Sequence, residues 1–176
     1  TPVNGSGMQD LDGDGNSNDY KASTMNHTLL IAEGTNLAGT VVTFDYYLTT
    51  NGTSDEGQGI KLFTANKPYS STTADSNRHR FQLLNLSGQY LCARKDTTRD
   101  FQEQIAITNN VIEKANVVVK VSEDGYKLII TITLGEDTAT FTWAGDGSYI
   151  TRIEIGHPYG PNASVSWSMR NIMVSD

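Results

Sequence analysis

The stretch Asn116–Leu134, NVVVKVSEDGYKLIITITL, decides the fold class. On either side of Ser122-Glu123-Asp124-Gly125 the apolar residues recur at every second position, the period of a strand with one buried face. In the second arm Leu128, Ile130, Ile132 and Leu134 share one face, while Lys127, Ile129, Thr131 and Thr133 share the other. Asp124-Gly125 supplies the positive φ that a tight connection needs, because glycine has no Cβ to crowd its own carbonyl. The segment predicts an antiparallel hairpin.

The same period extends outward in both directions. In Thr40–Thr49, Val42, Phe44, Tyr46 and Leu48 alternate with Val41, Thr43, Asp45, Tyr47 and Thr49, so one face is buried and the other carries Asp45 and Tyr47. Thr138–Trp143 alternates Ala139, Phe141 and Trp143 with threonines after a Gly135-Glu136-Asp137 turn. Ser148–Ile155 predicts a strand with Ile153 and Ile155 inward and Arg152 and Glu154 outward, and Ala163–Val174 a last strand with Val165, Trp167 and Met169 alternating against serines. By parity Trp143 and Trp167 belong to the core. Residues 59–64, 79–86 and 89–94 read as further strands, 67–77 as a polar loop, and 101–114 fits strand and turn as well as helix. Many short strands between polar turns predict an all-β, two-sheet antiparallel sandwich.

A chain of 176 residues fits one domain, and 37% hydrophobic content is enough to fill one core. The net charge of -7 repels a phosphate backbone, so nucleic acid is not an expected partner. No apolar run approaches the roughly 18 residues that a membrane helix requires. One cysteine, Cys92, permits no internal disulfide and reads as a buried, inert thiol. The Thr-, Ser-, Asn- and Gly-rich acidic composition is the style of extracellular modules, and a secreted or cell-surface location is expected, as a piece of a larger multidomain protein. Residues 1–22 differ from the rest, being rich in Gly, Asn and Asp, and read as a linker or calcium-binding loop ahead of a sandwich domain spanning 23–176.

Three stretches together, VVTFDYYL (41–48), VVVKVSEDGYKLIITITL (117–134) and YITRIEIGHPYGPNASVSWSMRNIMV (149–174), resemble the concanavalin A-like, laminin-G-like jelly rolls of lectins and carbohydrate-binding modules. The resemblance is one of pattern and order. It implies a jelly roll and a glycan ligand, and it carries no sugar-binding residue over to this chain.

A glycan presents apolar C–H faces and hydroxyl groups, so its receptor needs flat aromatic faces rimmed by polar side chains. Aromatics on polar faces or in loops are therefore the informative ones. Tyr47 beside Asp45, Tyr69 beside Pro68, and Tyr159 in His157-Pro158-Tyr159-Gly160 are the candidate platforms, with Arg152, Arg170 and His157 as candidate donors. Each tyrosine also reads as ordinary surface packing, and Arg152 with Glu154 as a solvated charge pair.

In Asp10-Leu11-Asp12-Gly13-Asp14-Gly15-Asn16-Ser17-Asn18-Asp19, oxygen side chains alternate around a glycine, the way a hard cation is wrapped. This loop resembles the calcium loops of EF-hands, dockerins and thrombospondin repeats, with Asp10, Asp12, Asp14, Asn16 and Asp19 as ligands of a structural calcium. It departs from them at the twelfth position, where Lys21 replaces the bidentate carboxylate. The other reading is a solvated linker.

No enzyme activity is expected. Jelly-roll glycoside hydrolases and polysaccharide lyases are the main alternative. Hydrolases of that fold need two carboxylates facing across a cleft. No acid pair stands out, and the best the strands offer is Asp45 with Glu154 on outward faces of separate strands. An adhesin or structural module is the third reading.

Overall fold

The computed structural model describes residues 2–3, 8–21, 28–50, 61–64, 79–86, 90–95, 101–106, 112–143, 147–156 and 165–175. Among these are twelve strands and no helix: β1 (Tyr20–Lys21), β2 (Thr28–Glu33), β3 (Val41–Thr50), β4 (Lys61–Thr64), β5 (His79–Leu86), β6 (Tyr90–Lys95), β7 (Phe101–Ala106), β8 (Ile112–Val121), β9 (Leu128–Leu134), β10 (Asp137–Trp143), β11 (Arg152–Gly156) and β12 (Val165–Ser175). They form two antiparallel six-stranded sheets, ordered β1-β12-β3-β8-β9-β10 and β2-β11-β4-β5-β6-β7. The chain crosses between sheets repeatedly, so β12 lies between β1 and β3, and β11 between β2 and β4.

The quoted hairpin is β8–β9. Val117, Val119 and Val121 face Ile132, Ile130 and Leu128 across it, and Gly125 in its turn has φ +84°. The register continues sideways. Val42, Val119, Ile130 and Phe141 form one row across β3, β8, β9 and β10, and Phe44, Val117, Ile132 and Ala139 the next. All eight are buried, joined from the second sheet by Ile105 of β7 and Ile153 of β11. Each Val, Ile or Phe in these rows contributes about 1.5–3 kcal/mol by leaving water. The inward alternation expected for β3, β9 and β10 thus holds at every described position except Leu134, which is half-buried where β9 ends. The side chains of Leu48, Cys92, Trp143, Ile155, Val165 and Trp167 lie outside the described residues.

Three local departures matter for the surface. In β12 the simple alternation breaks at Asn171 (φ +56°), where the pairing with β3 shifts, and Met169 and Ile172 are both buried. Asparagine tolerates the left-handed region better than other side chains, which makes it the residue suited to this bulge. Second, the strand expected over 148–155 begins only at Arg152. The Ile150 amide is spent on Gly125 O (2.9 Å) and the Ile150 carbonyl on the Leu37 amide (2.9 Å), so 147–151 is tied to the hairpin turn.

The third departure corrects the expectation that Glu154 is outward and solvated. Glu154 is 2% exposed, because Arg152 folds over it and bonds both Glu154 and Glu33 (3.0 Å). A β-bulge between Ile153 and Glu154 in the pairing with β2 accompanies this contact.

Residues 18–21 pack into the sandwich. Tyr20 is in the core, β1 pairs with Ser168 and Met169, and the Ile172 amide donates to Asn18 O (3.0 Å).

Candidate functional site

The acidic loop is built by its own backbone. Gly13 (φ +74°) and Gly15 (φ +88°) turn the chain so that its amides point at its carboxylates. The Asp14 amide donates to Asp10 Oδ1 (3.1 Å) and Asp12 Oδ1 (3.3 Å), and the Gly15 amide to Asp10 Oδ2 (3.0 Å). Asp19, fully buried, accepts from Leu11 (2.8 Å) and Asp12 (3.2 Å) on Oδ2 and from Asn171 (2.8 Å) on Oδ1, fastening the loop to the β12 bulge.

The carboxylates of Asp10, Asp12 and Asp19 come within 4.8 Å of one another. Asp14 stands beside that group; its carboxylate accepts the Asn16 amide (2.8 Å), which, with smaller contributions from Asp12 and Asp10, holds Asp14 below its ordinary pKa. Asp12 is pushed upward, first by desolvation and then by the Asp19 charge, a hydrogen bond with Asp10 and the Asp14 charge, against a lowering bond from the Asp14 amide. Three close oxygen donors whose mutual repulsion is relieved by a positive charge fit a hard divalent cation.

The other expected site residues divide between the two sheets. Asp45 and Tyr47 project from the outward face of β3, opposite in parity to buried Phe44 and Tyr46. The Arg170 guanidinium lies over the Tyr47 ring at 4.6 Å, the Asn116 amide donates to Asp45 Oδ1 (3.4 Å), and Lys114 stands 3.8 Å from Asp45 Oδ2. One face of Tyr47 is therefore covered by a cation, a contact of about 0.5–2 kcal/mol. Arg170 Nε is buried with no hydrogen-bond partner among the described residues. Arg152 belongs to the second sheet, and its guanidinium is committed to Glu33 and Glu154. Tyr69, His157 and Tyr159 lie outside the described residues.

Asp45 and Glu154 stand on different sheets of the sandwich, Glu154 beneath Arg152. They do not face one another across a cleft as a hydrolytic pair does.

One arrangement was not read from the sequence. Tyr126 and Tyr149 stack with centroids 4.7 Å apart and planes at 26°. They are the most exposed aromatic side chains among the described residues, at 36% and 45%. Both had been assigned to strands by alternation. The signal available was that each directly follows a turn, Asp124-Gly125 and Gly147-Ser148.

No protein-family model matches the chain, and no curated protein is similar to it in sequence. Solved structures are similar in fold. A legume lectin-like domain from Entamoeba histolytica superposes with TM-score 0.52 at 12% identity, over 90% of this chain and 89% of that one. Lectin I-B4 from Griffonia simplicifolia, in its metal-free form, gives 0.55 at 11%, over 94% and 95%. Lectin I from Ulex europaeus, solved with the methyl glycoside of α-L-fucose, gives 0.57 at 12%, over 83% and 76%. Strand order, antiparallel pairing and these superpositions agree: the chain has the concanavalin A-like jelly-roll fold of the legume lectin-like domains.

Proposed function

We propose that this chain is a non-catalytic glycan-binding module. The observation that carries the reading is the outward cluster on the first sheet: an aromatic ring, Tyr47, under the Arg170 guanidinium, with Asp45, Asn116 and Lys114 on the same face. Sugar hydroxyls pair with such fixed donors and acceptors, and the ring edge offers an apolar contact. The similarity in fold to lectins, one of them solved with a fucoside, supports the same reading. Tyr69, Arg152, His157 and Tyr159 are further proposed contacts.

A calcium ion held by Asp10, Asp12 and Asp19, with Asp14 and Asn16 beside them, is proposed to be structural, supplying positive charge that locks the loop onto β12. A secreted or cell-surface location within a multidomain protein completes the proposal.

The test is affinity electrophoresis and calorimetry against a panel of plant, microbial and animal polysaccharides. Loss of a charged donor by Arg170→Ala, at about 1.5–3 kcal/mol, weakens binding about tenfold or more, while loss of the Tyr47 contact lowers the melt by only a few degrees. Release of reducing ends or unsaturated sugars, or no retention on any glycan, refutes the reading.

A further inference from the structure

The end of the sandwich where the 34–40 connection, the β8–β9 turn and the 147–151 segment meet is held together by backbone bonds. Gly125 donates to Ser122 O (2.9 Å) and accepts from Ile150 (2.9 Å), and Leu37 donates to Ile150 O (2.9 Å). Asp124 Oδ1 accepts the Ser122 hydroxyl (2.6 Å) and the Tyr126 amide (3.1 Å), so the backbone beside both tyrosines is fixed. The rings themselves are closely fitted: a Cβ on Gly125 would collide with Asn36 Oδ1 and stand 3.0 Å from Tyr149 Cδ1. The two rings stack on one another with centroids 4.7 Å apart, so each holds the other in place.

A pair of exposed aromatic rings that is already immobilised costs little further entropy when a ligand lies on it. The charges around it cancel, with Glu123 and Asp124 against Lys120 and Lys127, and Lys120 is ion-paired to Glu123 (3.3 Å). A net charge of -7 over the whole chain disfavours a polyanionic ligand. Asn36 and Asp124 flank the Gly125 turn; Asn36 Oδ1 accepts the Ala38 amide (3.0 Å) and Asp124 Oδ1 the Tyr126 amide, and their remaining polar atoms can meet hydroxyl groups.

From this we propose that Tyr126 and Tyr149 form a second, separate sugar-stacking platform, taking an uncharged pyranoside chain by its C–H face. The proposal rests on the glycan-binding reading above and adds a site to it. Five residues of β8 separate Asn116, beside the Arg170 cluster, from Val121 at the turn, about 17 Å of strand. No single sugar ring reaches both, so a long polysaccharide engages the two sites together and gains avidity from each.

The experiment compares wild type, Tyr126→Ala/Tyr149→Ala and Tyr126→Phe/Tyr149→Phe. Each is titrated with mixed-linkage β-glucan, xyloglucan, galactomannan and polygalacturonate, with amide NMR shifts and melting curves recorded alongside. The expected result is that wild type binds a neutral polymer with shifts at Gly125 and Ile150. The alanine pair then loses at least tenfold in affinity together with those shifts, and the phenylalanine pair, which keeps the rings, retains most of the binding. If wild type binds and the alanine pair binds equally well, or if only polygalacturonate binds, this platform is refuted and the glycan-binding reading stands. If wild type binds none of the polymers, this platform falls, and the wider panel above decides the glycan-binding reading.

Discussion

Replacing Asp19 by alanine removes the carboxylate on which Leu11, Asp12 and Asn171 amides converge at 2.8, 3.2 and 2.8 Å. A hydrogen bond to a charged acceptor contributes about 1.5–3 kcal/mol. The three losses are unequal. The Leu11 and Asp12 amides sit in a loop whose neighbouring residues are exposed, and water takes over much of what they lose. The Asn171 amide lies beneath a side chain with no exposed surface and beside buried Ile172, where water is a poor substitute. One bond lost nearly in full and two in part give an expected destabilisation of about 3 kcal/mol. For a chain of this size that corresponds to about 6–12 °C in melting temperature. Urea denaturation and calorimetry in excess chelator measure it without any contribution from a bound cation. Asp19→Asn keeps the shape and one acceptor oxygen, so it should lose about half as much. Faster hydrogen exchange at Tyr20 and Ile172 should accompany the change, as β1 and the bulge loosen. A loss below about 0.5 kcal/mol, the level of an ordinary surface substitution, would refute the claim that Asp19 fastens the loop to β12.

Three further outcomes are expected. Gly125→Ala places a Cβ at φ +84° against Asn36 and Tyr149, and strain plus overcrowding should cost about 2–4 kcal/mol by equilibrium unfolding; wild-type stability would show that the turn relaxes freely. The raised pKa of Asp12 means the folded loop holds its proton more tightly than the unfolded chain does, so its contribution to stability is present below the ordinary value of 3.8 and is lost as pH rises through the higher folded value. Asp12→Asn should therefore leave the melt unchanged or raise it at neutral pH in chelator, yet lower it with saturating calcium. Calcium itself, at about 100-fold over its dissociation constant, should stabilise wild type by about 2.7 kcal/mol. Identical melts of wild type with and without calcium would remove the cation from the account.

The alternation in Val42–Tyr46, Leu128–Ile132 and Ala139–Phe141 was readable because period-two burial is a property of each strand taken alone. The β8–β9 turn was readable for the same reason, since Asp124-Gly125 acts over a few bonds. Glu154 was misjudged because parity names the face of a strand and says nothing of what lies over that face; Arg152, two residues away, covers it. The carboxylates of Asp10, Asp12 and Asp19 gather within 4.8 Å because Asp19 is drawn to the loop by the Leu11, Asp12 and Asn171 amides, which spacing alone does not specify.

The residues in order were sufficient to settle an all-β chain, its inward faces and the position of its central turn, all consequences of local sterics and burial. Which strands lie side by side was decided only on folding, when β12 entered between β1 and β3 and β11 between β2 and β4. So were the Asn171 bulge under Asp19 and the stack of Tyr126 on Tyr149. Those contacts join parts of the chain far apart in sequence, and their energy exists only once backbone groups and rings are brought within a few ångströms of each other.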